Sequence, residues 1–279
     1  MFIEDYHTHT SVSPDGEGDI YRLCVRADEI GLKYLCVTEH VELNRFFSPG
    51  HYAETPRNEF EVYYDGSIFE NAMSNCERVK KESHIVDLSA GVELGQINAD
   101  IPLAKIVYSD KRLDFVIGSL HELIGKEDFY NLDYKKEDCE MLLEEYFSQL
   151  LDIAKSGAYD VLGHITYPLR YMEGEYGYKP DMSKYISKIR EIYEAVIDSG
   201  KGIELNTSGL RQKYGKTFPD YDLLKIYHDM GGKIITLGSD AHNSIDLAKG
   251  TDKGLEMLKN IGFQKISYFK NHEAYDIKI

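Results

Sequence analysis

No stretch of this chain is apolar over the roughly 18 residues that a membrane-spanning helix needs, so no membrane span is expected. The opening Met1-Phe2-Ile3-Glu4-Asp5 lacks the basic and apolar regions of a signal peptide, so none is expected. Cysteine is scarce. Cys24, Cys36, Cys76 and Cys139 are widely separated with no Cys-x-x-Cys pair, and they read as reduced thiols of a cytoplasmic protein. Basic residues are outnumbered: 32 Lys and Arg against 48 Asp and Glu leave a formal charge of −16. A surface this acidic repels phosphate backbones, which makes nucleic acid a poor partner. Carboxylates that sit beside bound cations would account for part of that excess. Tryptophan is absent against 22 tyrosines, an imbalance without a physical account. Repeats, low-complexity tracts and flexible linkers are also missing, so one domain over residues 1–279 is expected. At 42% hydrophobic and 29% charged, such a chain can bury a sizeable core.

What is present is a recurring unit of short apolar run, polar loop and helical stretch. The runs are Phe2–Tyr6, Tyr34–Thr38, Ile85–Val92, Phe115–Ser119, Val161–Leu162, Gly202–Leu205 and Ile234–Leu237, with a further one at Ile266–Phe269. They are short and bounded by Gly or Asp, as buried parallel strands are. Helices are predicted over Ile20–Ile30, Ile68–Glu82, Glu137–Ser156, Ser183–Ser199, Tyr221–Met230 and Ile245–Lys259, several of them stopped by glycine. Alternation of this kind argues for a parallel α/β sheet, and about seven units closing on themselves make a distorted (β/α)7 barrel related to the eight-unit type. An open doubly wound sheet would want a glycine-rich loop after its first strand, where this chain has Tyr6-His7-Thr8-His9.

Nearly every run ends in a group able to bind metal. His7 and His9 follow the first, Glu39 and His40 the second, Glu93 the third, His121 the fourth, His164 the fifth, Asn206 the sixth, and Asp240 and His242 the last. In a barrel these ends meet at one face. His7 and His9 are two apart, so both side chains point the same way, and Asp240 and His242 repeat the spacing. Imidazole with carboxylate suits Zn, Fe or Mn better than Mg or Ca. Any one buried histidine is more often a hydrogen-bonded core residue, and His51, His84, His228 and His272 are read so. Six at strand ends are not explained that way. Asp5 and Glu39 are candidates to orient a ligating imidazole.

Those residues, as Asp5-Tyr6-His7-Thr8-His9-Thr10, Thr38-Glu39-His40, Gly91-Val92-Glu93, Ser119-Leu120-His121, Gly163-His164 and Gly238-Ser239-Asp240-Ala241-His242, resemble the ordered motifs of the polymerase-and-histidinol-phosphatase (PHP) family. The resemblance implies a distorted barrel of seven strand–helix units and two to three divalent ions. It implies that His7, His9, Glu93 and Asp240 hold the first ion, that Glu93 bridges to a second with His121 and His164, and that His40, His242 and Asp15 hold the third. Within the family the chain looks most like the histidinol-phosphate phosphatase branch, which has an arginine after its Gly-His-Ile motif, here Arg170 after Gly163-His164-Ile165. Arg211 follows the sixth run. A guanidinium fork matches phosphate oxygens, so both arginines are expected to bind substrate.

The expected reaction is hydrolysis of a phosphate monoester, L-histidinol phosphate, as in histidine biosynthesis, with Asp240, His242 and Glu93 at the reacting centre and Arg170 and Arg211 on the phosphoryl oxygens. No general acid can be named. The segment Val41–Gly66, with Phe46, Phe47, Tyr52, Phe60, Tyr63 and Tyr64, and the segment Tyr167–Tyr178, with Glu173 and Glu175, are expected to wall the pocket with aromatic and acidic groups that suit an amine and an imidazole. The alternatives are another ester of the same family (phosphotyrosine or a nucleotide) and a non-catalytic barrel; the latter would be missing ligands.

Overall fold

A computed structural model of the chain describes residues 3–43, 66–82 and 85–279. Seven strands run parallel in sequence order: β1 Glu4–Asp5, β2 Tyr34–Glu42, β3 Asp87–Gly95, β4 Phe115–Ser119, β5 Val161–Leu162, β6 Gly202–Asn206 and β7 Ile235–Gly238. The chain leaving β1 then returns to β7. Tyr6 N donates to Leu237 O at 2.8 Å, Asp240 N to His7 O at 2.8 Å and His9 N to Ala241 O at 2.8 Å. A sheet whose two edges bond to each other has no free edge, and the result is a closed, distorted barrel. Strands β1 and β5 are only two residues long, so bonds beyond the regular ladder help complete the ring.

Helices fill the connections: α1 Ile20–Ile30, α2 Ser67–Val79, α3 Ile101–Tyr108, α4 Cys139–Ser156, α5 Ile186–Asp198, α6 Tyr221–Asp229 and α7 Thr251–Ile261. Each buries one apolar stripe; α4 turns Leu142, Leu143, Tyr146, Phe147 and Leu150 inward. Aspartates cap four of them: Asp19, Asp100, Asp138 and Asp220 each accept a backbone N–H of the first turn. The four cysteines are buried and unpaired. No helix among the described residues is long and apolar enough to cross a membrane.

Two elements depart from the sequence pattern. Helix α3 was hidden in a run of only eight residues, although Asp100 and Pro102 mark its start. The expected helix over Ile245–Lys259 begins only at Thr251, because Ala248 at φ 59° and Gly250 at φ 88° are left-handed and cannot continue a helix. The aromatic stretch of Val41–Gly66, including Phe46, Phe47, Tyr52, Phe60, Tyr63 and Tyr64, falls almost wholly outside the described residues, as do His51 and His84.

The last run is not an eighth barrel strand. Strand β8 (Lys265–Lys270) pairs antiparallel with β9 (Glu273–Lys278) in a hairpin that closes the N-terminal end of the barrel. Phe269 packs there with Tyr6, Cys36, Phe115, Ile117 and Val161. Tyr6 Oη donates to Phe269 O and accepts from Phe269 N, both at 3.2 Å. Asp160, just before β5, accepts from His272 Nδ1 at 2.8 Å and pins the turn. With the floor filled by side chains, the opposite end is left for chemistry.

Candidate metal centre

The C-terminal strand ends bring all six strand-end histidines to one place. His7, His9, His121 and His164 are buried and His40 and His242 are half-buried, around Glu93. Glu93 Oε1 lies 2.7 Å from His164 Nε2 and 3.0 Å from His121 Nε2; Oε2 lies 3.1 Å from His7 Nε2, 3.0 Å from His40 Nδ1 and 3.6 Å from His9 Nε2. Asp240 Oδ1 is 3.5 Å from His9 Nε2, 3.8 Å from His7 Nε2 and 3.6 Å from His242 Nδ1. Asp15, in the loop after the H-x-H pair, reaches His242 Nε2 at 2.5 Å and His40 Nε2 at 3.5 Å. All nine ligand candidates named from sequence therefore meet. Four groups of three bring their ligand atoms within 4.8 Å of one another: His7, His9 and Asp240; His7, Glu93 and His164; His40, Glu93 and His121; and His9, His40 and His242.

The outer nitrogens explain which lone pairs face inward. His7 Nδ1 sits 2.6 Å from Glu204 Oε1, and His121 Nδ1 sits 2.9 Å from Glu42 Oε1. A carboxylate there fixes the proton on Nδ1 and leaves the Nε2 lone pair free, which is how metal-ligating imidazoles are oriented. Neither Glu204 nor Glu42 was singled out from sequence, although the signal existed: His40 and Glu42, like Glu204 and Asn206, are two apart in a strand and share a face. Gly238 leaves room for this contact, since a Cβ there would lie 2.1 Å from Glu204 Oε1. Asp5 and Glu39, expected beside an imidazole, hold backbone N–H and hydroxyl groups, and Glu39 reaches the His9 ring only through Ser13, whose Oγ lies 3.4 Å from His9 Nδ1. Asp5 accepts from Ser239 N, Ser239 Oγ and Ala248 N, and Glu39 from Thr10 N, Ser13 N and both hydroxyls. Asn206 donates toward Glu204 and Asp240.

Charge agrees with geometry. Burial disfavours the carboxylate of Glu93, but His7, His121 and His40 outweigh it and hold its pKa well below the usual value. Burial likewise opposes Glu42, which His121 holds down at about 2. Burial would lower His7, His40 and His121, yet the carboxylates around them raise all three. His9, buried and flanked by the His40 and His242 rings, falls to about 3. His7 Nε2, His9 Nε2, His40 Nδ1, Asp15 Oδ1 and Glu93 Oε2 are buried without a hydrogen-bond partner and converge here. Converging buried lone pairs of nitrogen and carboxylate oxygen fit divalent cations of borderline hardness.

A cavity of about 860 Å³ opens over this centre. Arg170 and Arg211 both line it, as expected. Arg170 opens a short π-helix, Arg170–Glu175, and its guanidinium stands 5.7 Å over the Tyr171 ring with no hydrogen bond or ion pair to any described residue. Arg211 is held by the carbonyls of Ser239 (2.8 Å), Asp240 and Lys249 (3.3 Å each). Tyr167 forms part of the wall, its ring 5.2 Å from His121 and 5.0 Å from His164. Glu173 and Glu175, expected as acidic walls, are taken by Lys216 at 3.1 Å and Lys213 at 2.5 Å. Asp128, which sequence did not flag, lines the cavity, and burial pushes its carboxyl up to about 6.

A closed parallel barrel carrying a buried imidazole–carboxylate centre at its C-terminal face defines a class of barrel proteins whose strand ends could hold metal. A profile of the PHP domain matches residues 5–208, and the chain belongs to the PHP domain family. It is 29% identical over 278 residues to the histidinol-phosphatase of Lactococcus lactis, covering 95% of this chain and 93% of that one. It is 24% identical over 263 residues to a protein of Thermotoga maritima named "probable histidinol-phosphatase", covering 94% of each. The crystal structure of histidinol phosphate phosphatase from Lactococcus lactis, complexed with zinc, L-histidinol and phosphate, superposes with a TM-score of 0.74 at 25% identity over 98% of both chains.

Proposed function

We propose that the chain, acting as one barrel domain in the cytoplasm, is a metal-dependent phosphomonoesterase that converts L-histidinol phosphate and water to L-histidinol and phosphate, a reaction of histidine biosynthesis. The observation that carries the reading is the convergence of unpaired, buried His, Glu and Asp ligand atoms beneath a cavity that also holds Arg170 and Arg211. Relatives named for this activity along nearly the whole chain support the substrate. In this reading His7, His9, Glu93 and Asp240 hold one ion, Glu93 with His121 and His164 a second, and His40, His242 and Asp15 a third, the metals being zinc, iron or manganese. When bound, such ions supply a water activated near neutral pH and withdraw charge from the phosphoryl group.

The protein's own groups do the rest. The guanidinium of Arg170, unpaired among the described residues, and the anchored guanidinium of Arg211 grip the phosphoryl oxygens and hold phosphorus over the centre. Glu204 and Glu42 keep His7 and His121 in the ligating tautomer. Asp240, at φ 54° and held by the Asp240 N to His7 O bond, projects its carboxylate to where the attacking water must be oriented. The oxygen of water bonds to phosphorus as the ester P–O bond breaks, and the proton that water gives up ends on the leaving oxygen, so that the products are the alcohol and phosphate.

The test is protein purified without chelator, its metals measured, and phosphate release compared for L-histidinol phosphate, a phosphotyrosine peptide and a nucleotide. Two or three equivalents of zinc, iron or manganese and a strong preference for L-histidinol phosphate are expected. Arg170→Ala or Arg211→Ala is expected to lower kcat/KM by roughly 10- to 100-fold, the usual worth of a hydrogen bond to a charged group. Metal with another ester preferred would keep the centre and discard the substrate; no metal and no activity after adding Mn²⁺ or Zn²⁺ would discard both.

A further inference from the structure

The cavity is polarised in a way that the phosphoryl group alone does not explain. Arg211 is tied to the end of β7 through Ser239 O and Asp240 O. Asp128 is tied to the end of β4, across the ring, where Phe129 N donates to His121 O and Glu122 pairs with Asp128. Of the acids that line the cavity outside the metal centre, Glu175 holds Lys213 and Asp246 holds Lys249, whereas Asp128 pairs with no lysine or arginine among the described residues. Its Oδ1 accepts from Tyr130 N at 2.7 Å and lies 3.4 Å from Tyr167 Oη. Tyr167 Oη in turn is 2.9 Å from Tyr171 Oη, so a carboxylate stands among phenol rings with a face toward the cavity. His121 and Arg170 lie within electrostatic reach of this carboxylate but form no ion pair with it among the described residues. A further cation is therefore still favoured beside it, and the aromatic rings there suit an organic ammonium over a hydrated metal.

Resting on the phosphatase reading above, we propose that Asp128 is the specificity residue that binds the substrate's ammonium group, walled by Tyr167 and Tyr171, while Arg170 and Arg211 take its phosphate. The cavity is then matched to a substrate with an anionic end and a cationic end, and discrimination against amine-free phosphate esters resides in one side chain. Such a residue acts on binding and leaves the ester chemistry to the metal centre.

The experiment compares L-histidinol phosphate with 3-(imidazol-4-yl)propyl phosphate, the same ester without the amine, in wild type, Asp128→Asn and Asp128→Ala. Asn keeps an acceptor for Tyr130 N, and equal metal content and far-UV circular dichroism establish that the variant is folded. The proposal expects Asp128→Asn to lose about 100-fold in kcat/KM on the amine ester, chiefly through KM, and no more than about threefold on the amine-free ester. A variant that still prefers the amine ester as wild type does overturns this inference and leaves the phosphatase reading standing. Equal losses on both esters, chiefly in kcat, also overturn it and make Asp128 a structural or proton-donating group. A wild type without preference between the two esters overturns the inference and the named substrate together.

Discussion

At the scale of single residues, the centre depends on side chains that touch no substrate. Glu204 sits 2.6 Å from His7 Nδ1 and also accepts His164 N at 2.9 Å, so one carboxylate positions two candidate ligands. Glu204→Gln is expected to weaken metal binding roughly 10- to 100-fold while leaving the ligand count intact, with activity recovered as Mn²⁺ or Zn²⁺ is added in excess. Metal retention equal to wild type under graded chelator would show that Glu204 does not orient His7. The candidate ligands were legible because six of the 10 histidines stand at the ends of five of the seven apolar runs, a placement with no core explanation. The positioning carboxylates were not, since glutamate is common in this chain and only strand alternation, at His40-Val41-Glu42 and Glu204-Leu205-Asn206, marks them. Asp128 was beyond reach of sequence: it stands in a loop, and its pocket exists only once β4 and the segment after β5 are packed together.

At the scale of elements, parallel strands and long amphipathic helices followed from apolar periodicity, and six of the seven helices were marked by it. Helix α3 was missed because eight residues carry barely two turns of pattern, and the start of α7 was misplaced because two left-handed residues, one of them Ala248, carry no sequence mark. Capping can be tested apart from catalysis. Asp138 Oδ1 accepts Glu140 N at 3.0 Å and Met141 N at 3.1 Å at the start of α4, far along the chain from the ligands. Asp138→Ala should cost about 1 kcal/mol, read as a lower midpoint in urea, with kcat/KM unchanged. Loss of activity in the folded variant would mean that α4 transmits strain to the β4 end.

At the scale of the whole molecule, the metal ions are expected to hold the barrel together as well as to catalyse. Without them His7 Nε2, His9 Nε2 and Glu93 Oε2 are buried and unpaired, so the native state binds what the unfolded chain cannot. At a thousandfold excess over Kd, such binding adds about 4 kcal/mol, and chelator-treated protein should melt several degrees lower and recover on adding metal. Imidazole must lose its proton to ligate, and the carboxylates that raise His7, His40 and His121 help protons compete, so the metal-dependent part of the melting temperature should shrink as pH falls, beginning above the ordinary histidine value of about 6.5. A melting temperature insensitive to chelator would place the ions outside the stabilising network. The barrel floor sets one more condition, on synthesis. Tyr6 meets Phe269 across 263 positions of sequence, and Glu4 accepts Leu237 N across 233. On a ribosome, His7 and His9 each emerge 233 positions ahead of Asp240 and His242 and must wait for them. A nascent chain therefore offers a free H-x-H pair to any stray cation but owns no complete site, and correct metal loading becomes an event that follows translation rather than accompanies it.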